Sequence, residues 1–203
     1  MWKDGNSRFM RLPWLTLLAG AAALLLFIGP VEWSLGLQLD RSDWGIRTVW
    51  QSITGHLTHW NGNHLAWDLA VFGMVGAFVE IRSRRVLLRL ILLSGAAISL
   101  AVLAWLPEIQ YYRGLSGVDM ALVGYWLCVQ LKESRSVRRW MWGIGLALSV
   151  AKPLVEIILG EAMFVTDLGA GVSNVPLAHL VGAGVGVAIA CADRRAGNRT
   201  RVA

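Results

Sequence analysis

The chain has 203 residues, of which 56% are hydrophobic and 16% are charged, and its mean hydropathy is +0.54. A soluble domain of this size cannot bury that much apolar surface, so the composition indicates a polytopic membrane protein. The net charge of +6 does not indicate a nucleic-acid partner, because the basic residues form short clusters between apolar runs. Cys128 and Cys191 both lie in predicted spans, where cysteine is typically a small buried residue rather than half of a disulfide.

Six apolar runs can be marked along the chain, each near the ~17–25 residues that a spanning helix needs. They are approximately residues 12–29, 64–79, 86–106, 115–131, 140–159 and 175–191. The first run is not followed by a small-residue cleavage site, so we expect it to be retained as a span. The sequence thus predicts an all-α membrane protein, a bundle of six transmembrane helices that forms a single domain over residues 1–203.

The distribution of lysine and arginine predicts the orientation of the spans. Basic clusters precede the first span, follow the sixth, and occupy alternate connections: Lys3, Arg8, Arg11; Arg82, Arg84, Arg85, Arg89; Lys132, Arg135, Arg138, Arg139; Arg194, Arg195, Arg199, Arg201. Both termini are therefore predicted to be cytoplasmic, and the second, fourth and sixth spans run from outside to inside. This topology brings His64, Ser116 and His179 to a similar depth in the outer part of the bilayer.

Ser116 lies between glycines at the outer end of the fourth span. A serine becomes a nucleophile when a base accepts its proton, and histidine is the usual base. The small residues that follow Ser116 and surround His179, including Gly182-x-x-x-Gly186, would let the fourth and sixth spans pack closely enough for the two side chains to meet. The alternative is that Ser116 is only a helix N-cap.

Acyl transfer also needs hydrogen-bond donors for the developing oxyanion. The free N–H groups at the start of the fourth span can supply them, and His64 can add a donor from the second span. An alternative for His56, His59 and His64 with Asp68 is a metal site, but no cysteine or carboxylate cluster completes a ligand shell. We expect neither a metal nor a cofactor.

These residues resemble the rhomboid family of intramembrane serine proteases over most of the chain, from about Trp50 to Asp193. The similar segments are His59-Trp60, Asn63-His64-Leu65, Gly76-Ala77-Phe78-Val79-Glu80, Gly114-Leu115-Ser116-Gly117 and Ala178-His179-Leu180-Val181-Gly182. The resemblance implies a catalytic dyad of Ser116 and His179. It also implies an oxyanion hole that contains His64 and the Ser116 backbone N–H, with Gly114 and Asp68 in support, and substrates that are single membrane spans cut near the outer face.

Within that family the chain is most similar to the rhombosortase branch, because of its compact length, Arg113 before the serine motif, and His64-Leu65-Ala66-Trp67-Asp68. That branch acts on exported proteins of Gram-negative bacteria whose C-terminal tail has a Gly-Gly motif, an apolar helix and a basic cluster. The resemblance implies a bacterial inner-membrane protein whose site opens to the periplasm. Its expected partners are membrane lipids and such tail segments; its oligomeric state is not predicted.

Several residues depart from the family pattern. Asp68 replaces a common asparagine, and an ionised carboxylate cannot donate to an oxyanion, so Asp68 is either protonated or holds the His64 imidazole in place. Asp119, one turn after Ser116, is a weaker candidate for orienting His179. Lys152 and Glu156 are expected to neutralise each other inside the bundle, and Pro153 between them to kink the fifth span, a candidate gate in the family.

Three alternative functions are consistent with the same sequence. One is a general rhomboid protease with other substrates, and another is a non-catalytic rhomboid-like protein that binds membrane spans. A non-catalytic relative would be expected to lack the serine or the histidine, and both are present. The third is a small transporter that uses His64, Asp68, Lys152 and Glu156, although no repeat between the two halves of the chain supports it.

Overall fold

The computed structural model of the protein describes residues 12–43, 45–160 and 173–193. Nearly all of this part is helical, with one pair of two-residue strands. In chain order the elements are α1 (Trp14–Ile28), α2 (Val31–Leu37), β1 (Leu39–Asp40), α3 (Ile46–Thr54), a 3₁₀ turn (Gly55–Leu57), α4 (Gly62–Val71), a π-helical turn (Phe72–Gly76), α5 (Ala77–Arg82), α6 (Arg84–Trp105), β2 (Tyr111–Tyr112), α7 (Ser116–Glu133), α8 (Ser136–Leu159) and α9 (Pro176–Ala192).

Each predicted apolar run coincides with a helix or a continuous helical segment to within a few residues. Within the described ranges, three segments are long and apolar enough to cross a membrane: Gly62–Arg82, Arg84–Trp105 and Ser136–Leu159. The apolar helices α1 and α9 are shorter, and α7 carries Asp119, Lys132 and Glu133. The mostly helical membrane fold is therefore confirmed, whereas the count of six spans and the single domain stay predictions.

The cytoplasmic location of both termini also stays a prediction. The basic clusters before the first span and after the sixth, and the connection at 161–172, lie outside the described residues.

Helices α7 and α9 make the closest contact in the bundle. A methyl group built at Gly182 would overlap the carbonyl oxygen of Gly117, and one built at Gly186 would overlap that of Ala121. Only a residue without a Cβ lets two helix backbones approach this closely. The predicted small-residue contact between the fourth and sixth runs is therefore present, and it fixes the spacing of these helices by backbone contact.

The N-terminal end of α1 is joined to the second apolar segment by Glu80. Its carboxylate accepts hydrogen bonds from the backbone N–H groups of Leu15 (3.1 Å) and Thr16 (2.8 Å) and from the Thr16 hydroxyl (2.9 Å). The first N–H groups of a helix have no partner within the helix, and a carboxylate there also complements the helix dipole. Glu80 thus stabilises the start of α1, whose N-cap position is Pro13.

The long connection between α1 and α4 is fastened to the segment before α7. Strands β1 and β2 pair antiparallel, with Leu39 opposite Tyr112. The Arg41 guanidinium donates to the backbone carbonyls of Val102, Leu103 and Leu106 at the end of α6, at 2.7–2.8 Å. A cation at a helix C-terminus satisfies carbonyls that have no partner in the helix. These contacts hold the chain that leads into Ser116.

Candidate active site

Ser116 is the first residue of α7, and Leu115 occupies the N-cap position. The interpretation of Ser116 as a helix N-cap is therefore wrong. The turn before it depends on Gly114, whose φ of +119° is a conformation that side chains rarely tolerate. A Cβ at Gly114 would also lie 2.6 Å from the His64 ring. Gly114 thus lets the chain turn against His64 immediately before the serine.

The side chains of Ser116 and His179 meet across the contact between α7 and α9. The Ser116 Oγ lies 3.0 Å from Nε2 of His179, which is the fourth residue of α9 and is buried. This separation suits a hydrogen bond between a nucleophile and its base. The glycine contact described above is what brings these residues together, although they are 63 positions apart in sequence.

The other ring nitrogen of His179 contacts a residue whose role the sequence did not reveal. Nδ1 lies 3.2 Å from Oε2 of Glu156 on α8. The expected pairing of Glu156 with Lys152 is present, at 2.6 Å between Oε1 and Nζ. An isolated i,i+4 pair explains both residues locally, so only the placement of α8 beside α9 reveals that the second oxygen faces His179.

Asp119, the weaker candidate for orienting His179, does not make this contact. Among the described residues, neither of its carboxyl oxygens has a hydrogen-bond partner, although the side chain is buried. The same is true of the Tyr112 hydroxyl. Burial, reinforced by the charges of Asp68 and Asp119, raises the pKa of Tyr112, so its phenol stays protonated.

Asp68 lies at the centre of a buried cluster beneath the serine turn. Its Oδ2 accepts a hydrogen bond from the Leu115 backbone N–H (2.7 Å) and lies 3.1 Å from Nε2 of His59 and 3.3 Å from Nε2 of His64. The Leu115 N–H donates to this oxygen whatever the tautomers of the two rings, and an oxygen surrounded by a backbone N–H and two ring nitrogens is suited to act as an acceptor. Of the two interpretations of Asp68, the geometry supports the one in which it holds the His64 imidazole, and adds that it also holds the serine turn.

Both the backbone and the ring of His64 are held in place by neighbouring side chains. Its backbone N–H is capped by the Asn61 side chain at 2.8 Å, and its ring is packed edge-on to that of His59. The Nε2 atom faces Asp68, while Nδ1 is buried and has no partner in the part of the chain that the structure describes. The contribution of His64 to an oxyanion hole stays a prediction.

His56, the remaining histidine of the alternative metal site, faces two backbone carbonyl groups. His56 Nδ1 lies 3.2 Å from the Gly114 carbonyl oxygen, and Nε2 lies 3.1 Å from that of Gly95. Burial lowers the pKa of His56, which favours a neutral ring that supports the serine turn. Over residues 12–43, 45–160 and 173–193, no group of three or more His, Cys, Asp or Glu side chains is arranged to hold a metal ion.

The side chains of Ser116, His179, His64 and Asp68 all line one cavity of about 360 Å³. Its wall includes His64, Asp68, Ser116, Asp119, Lys152, Glu156 and His179. Trp60 and Arg113 line it as well, with the Arg113 guanidinium carbon 4.3 Å from the centroid of the Trp60 ring. Gly114 lies behind His64 rather than on the wall. The cavity is large enough to hold a short peptide segment against the serine.

Comparison with known proteins identifies the family of the chain. The Rhomboid domain family matches residues 47–196, which include every catalytic candidate. A search of curated proteins gave no match. The matched region covers well over half of the chain and spans α3 to α9. The chain therefore belongs to the rhomboid family, whose members are intramembrane serine proteases.

Proposed function

We propose that the protein is an intramembrane serine endopeptidase in which Ser116 is the nucleophile and His179 the general base. The observation that carries the proposal is the 3.0 Å separation of Ser116 Oγ and His179 Nε2 inside a cavity. The Ser116 proton moves to Nε2 as Oγ bonds to the scissile carbonyl carbon, and the same proton then passes to the leaving amine as the C–N bond breaks. Water attacks the acyl-enzyme, His179 again acting as base.

The developing oxyanion needs donors close to Ser116. The intrahelical hydrogen bonds of α7 begin with the Asp119 N–H on the Leu115 carbonyl, so the Ser116 N–H precedes them and is available. His64 is the proposed side-chain donor; Asp68 and Gly114 support it through the contacts described above. This assignment needs no metal or cofactor.

The proposed substrates are single membrane spans cut near the outer face. We favour C-terminal tails with a Gly-Gly motif, an apolar helix and a basic cluster, as in the rhombosortase branch. The support is the resemblance around Arg113 and His64–Asp68, together with the position of Arg113 and Trp60 on the cavity wall. The corresponding location is the inner membrane of a Gram-negative bacterium, with the site open to the periplasm.

Labelling with a fluorophosphonate probe tests the nucleophile. The purified protein in detergent should become labelled, and both Ser116→Ala and His179→Ala should abolish labelling. Ser173→Ala is the matched control, because Ser173 is a second serine on the wall of the same cavity, whereas the hydrogen bond to His179 is made by Ser116. The eleven tryptophans allow folding of each variant to be checked by intrinsic fluorescence. A folded wild-type protein without label would favour the non-catalytic binder, and label that survives Ser116→Ala would exclude Ser116.

Co-expression with reporter proteins tests the substrate class. A reporter with a Gly-Gly, apolar helix and basic tail should be cut, and replacement of the two glycines by leucine should prevent cleavage. Equal cleavage of both reporters, or of an unrelated single span, would instead support a general rhomboid protease.

A further inference from the structure

Glu156 is one of two buried residues on α8, whose other residues are exposed or half-buried. The buried residues of α8 are Pro153 and Glu156. In its most apolar stretch only 11% of the residues are buried, compared with 44% in the corresponding stretch of Gly62–Arg82 and 50% in that of Arg84–Trp105. A carboxylate inside a membrane bundle is costly and usually marks a function. Its two oxygens face different partners, Oε1 the Lys152 ammonium and Oε2 the His179 ring.

The Oε2 atom of Glu156 affects which ring nitrogen of His179 carries the proton. A neutral imidazole has one N–H and one acceptor nitrogen. Because Nε2 must accept the Ser116 proton, the resting ring must hold its own proton on Nδ1. An ionised carboxylate can only accept, so Glu156 at 3.2 Å favours this tautomer over the unreactive one.

From this geometry we propose that Glu156 is a positioning residue, which holds His179 in the reactive tautomer and orientation and stabilises the imidazolium that forms during acyl transfer. The inference rests on the proposed function of Ser116 and His179, and it extends the dyad to a serine, histidine and glutamate on three helices. Glu156 stays ionised throughout, since the proton shuttles only between Ser116, Nε2 and the leaving amine.

Lys152 keeps the carboxylate available for this role. Its side chain is 21% exposed towards the cavity, whereas that of Glu156 is 1% exposed. A carboxylate so deeply buried is costly to desolvate unless a cation pairs with it. The ammonium on Oε1 therefore leaves Oε2 as an ionised acceptor for Nδ1.

The kinetic test is Glu156→Gln, which preserves shape but has an amide that can donate to Nδ1 and so favours the wrong tautomer. We expect the rate constant of fluorophosphonate labelling to fall by about 10²-fold or more, as tautomer errors do in serine hydrolases, while the melting temperature changes little. Asp119→Asn is the matched control, since it removes a buried carboxyl on the same cavity that makes no hydrogen bond to His179. An equal loss in both variants, or an unchanged rate in Glu156→Gln, would overturn the inference.

Nuclear magnetic resonance of protein with ¹⁵N-labelled histidine gives a readout that needs no Glu156 variant. The His179 ring should carry its proton on Nδ1, with a strongly downfield proton resonance, in both the wild type and Ser116→Ala. A proton on Nε2 in the resting enzyme would refute the role of Glu156 even if labelling is normal. Conversely, a wild type could carry the proton on Nδ1 and still not react with fluorophosphonate. That result would support the contact of Glu156 with His179 but reject the proposed protease activity.

Discussion

At the scale of single residues, two buried aspartates in one cavity wall have opposite surroundings. Asp68 accepts from the Leu115 backbone and faces the rings of His59 and His64, whereas Asp119 has no hydrogen-bond partner among the described residues. A buried carboxyl stabilises a fold when its acceptors are used and destabilises it when they are not. Substitution of Asp68 should therefore lower the stability of the protein, whereas substitution of Asp119 should raise it.

Asp68→Asn should lower both stability and activity. The amide leaves fewer acceptors for the Leu115 N–H and the two histidines, so we expect a loss of about 1–3 kcal/mol in the free energy of unfolding. The serine turn should loosen as well and slow fluorophosphonate labelling. Tryptophan fluorescence during thermal unfolding measures the first effect. A variant as stable as the wild type would contradict the role of Asp68 as the anchor of the turn.

Asp119→Leu should raise the melting temperature. The substitution removes a buried carboxyl without partners and adds apolar contact, which should be worth about 1–2 kcal/mol. The same thermal unfolding measurement applies, with Asp68→Leu as the control that must move the other way. A fall in the melting temperature of Asp119→Leu would show that Asp119 has a stabilising interaction in the folded protein.

The sequence predicted that Ser116 and His179 would lie together, but not the contact of His179 with Glu156, for a physical reason. Ser116 and His179 stand out because each lies in an apolar run at the same predicted depth, and both have the geometry expected of them. Glu156 is four residues from Lys152, and local pairing accounts for it completely. Its second contact depends on how α8 lies against α9, which no pattern in either helix specifies.

At the scale of elements, the contact between α7 and α9 depends on which face of α9 each glycine occupies. Gly182 and Gly186 lie against the backbone of α7, whereas a Cβ built at Gly184 would have no described atom within 4 Å apart from the adjoining residues and backbone of α9 itself. Gly182→Ala should destabilise the protein by about 1–3 kcal/mol or more and separate Ser116 from His179. Gly184→Ala should instead be neutral or stabilise the helix by about 0.5–1 kcal/mol.

Thermal unfolding and probe labelling of this pair of variants test the prediction together. If Gly182→Ala labels at the wild-type rate, backbone contact does not control the distance between Ser116 and His179. If Gly184→Ala is as damaging as Gly182→Ala, the loss comes from helix α9 itself rather than from its packing.

The long helices were predictable because apolar runs of spanning length have few other stable structures in a membrane. Their ends shifted by a few residues: α8 begins at Ser136 rather than near Trp140, and the second span begins at Gly62. The π-helical turn at Phe72–Gly76 and the pairing of β1 with β2 were not predicted. Both involve only a few residues, too few for a periodic signal.

At the scale of the whole molecule, the cavity and the basic connection after α7 lie at opposite ends of the bundle. Ser116 begins α7, and the connection to α8 follows Glu133 at its other end. The distribution of basic residues predicts that the cavity end faces outward. Ser42, which is exposed near β1, and Ser136, which is exposed at the start of α8, are therefore expected on opposite sides of the membrane.

Single-cysteine labelling in cells tests this orientation. In a background with Cys128→Ala and Cys191→Ala, a membrane-impermeant maleimide should label Ser42→Cys in intact cells, but Ser136→Cys only after the membrane that holds the protein is permeabilised. The reverse pattern would invert the predicted topology and place the cavity on the cytoplasmic side.

Because much of α8 is exposed, its tilt should depend on the thickness of the surrounding bilayer. At 1.5 Å per residue, the 24 residues of α8 extend about 36 Å and the 17 residues of α9 about 26 Å, on either side of a hydrocarbon thickness of about 30 Å. Hydrophobic mismatch is relieved by tilting, and a helix with few packing contacts tilts most easily. Acyl-chain length should thus change the distance from Glu156 to His179 while α7 and α9 keep Ser116 in place. The labelling rate should vary between vesicles of short-chain and long-chain phosphatidylcholine, and that variation should disappear in Glu156→Gln. Such a result would identify α8 as the part of the protein that senses bilayer thickness.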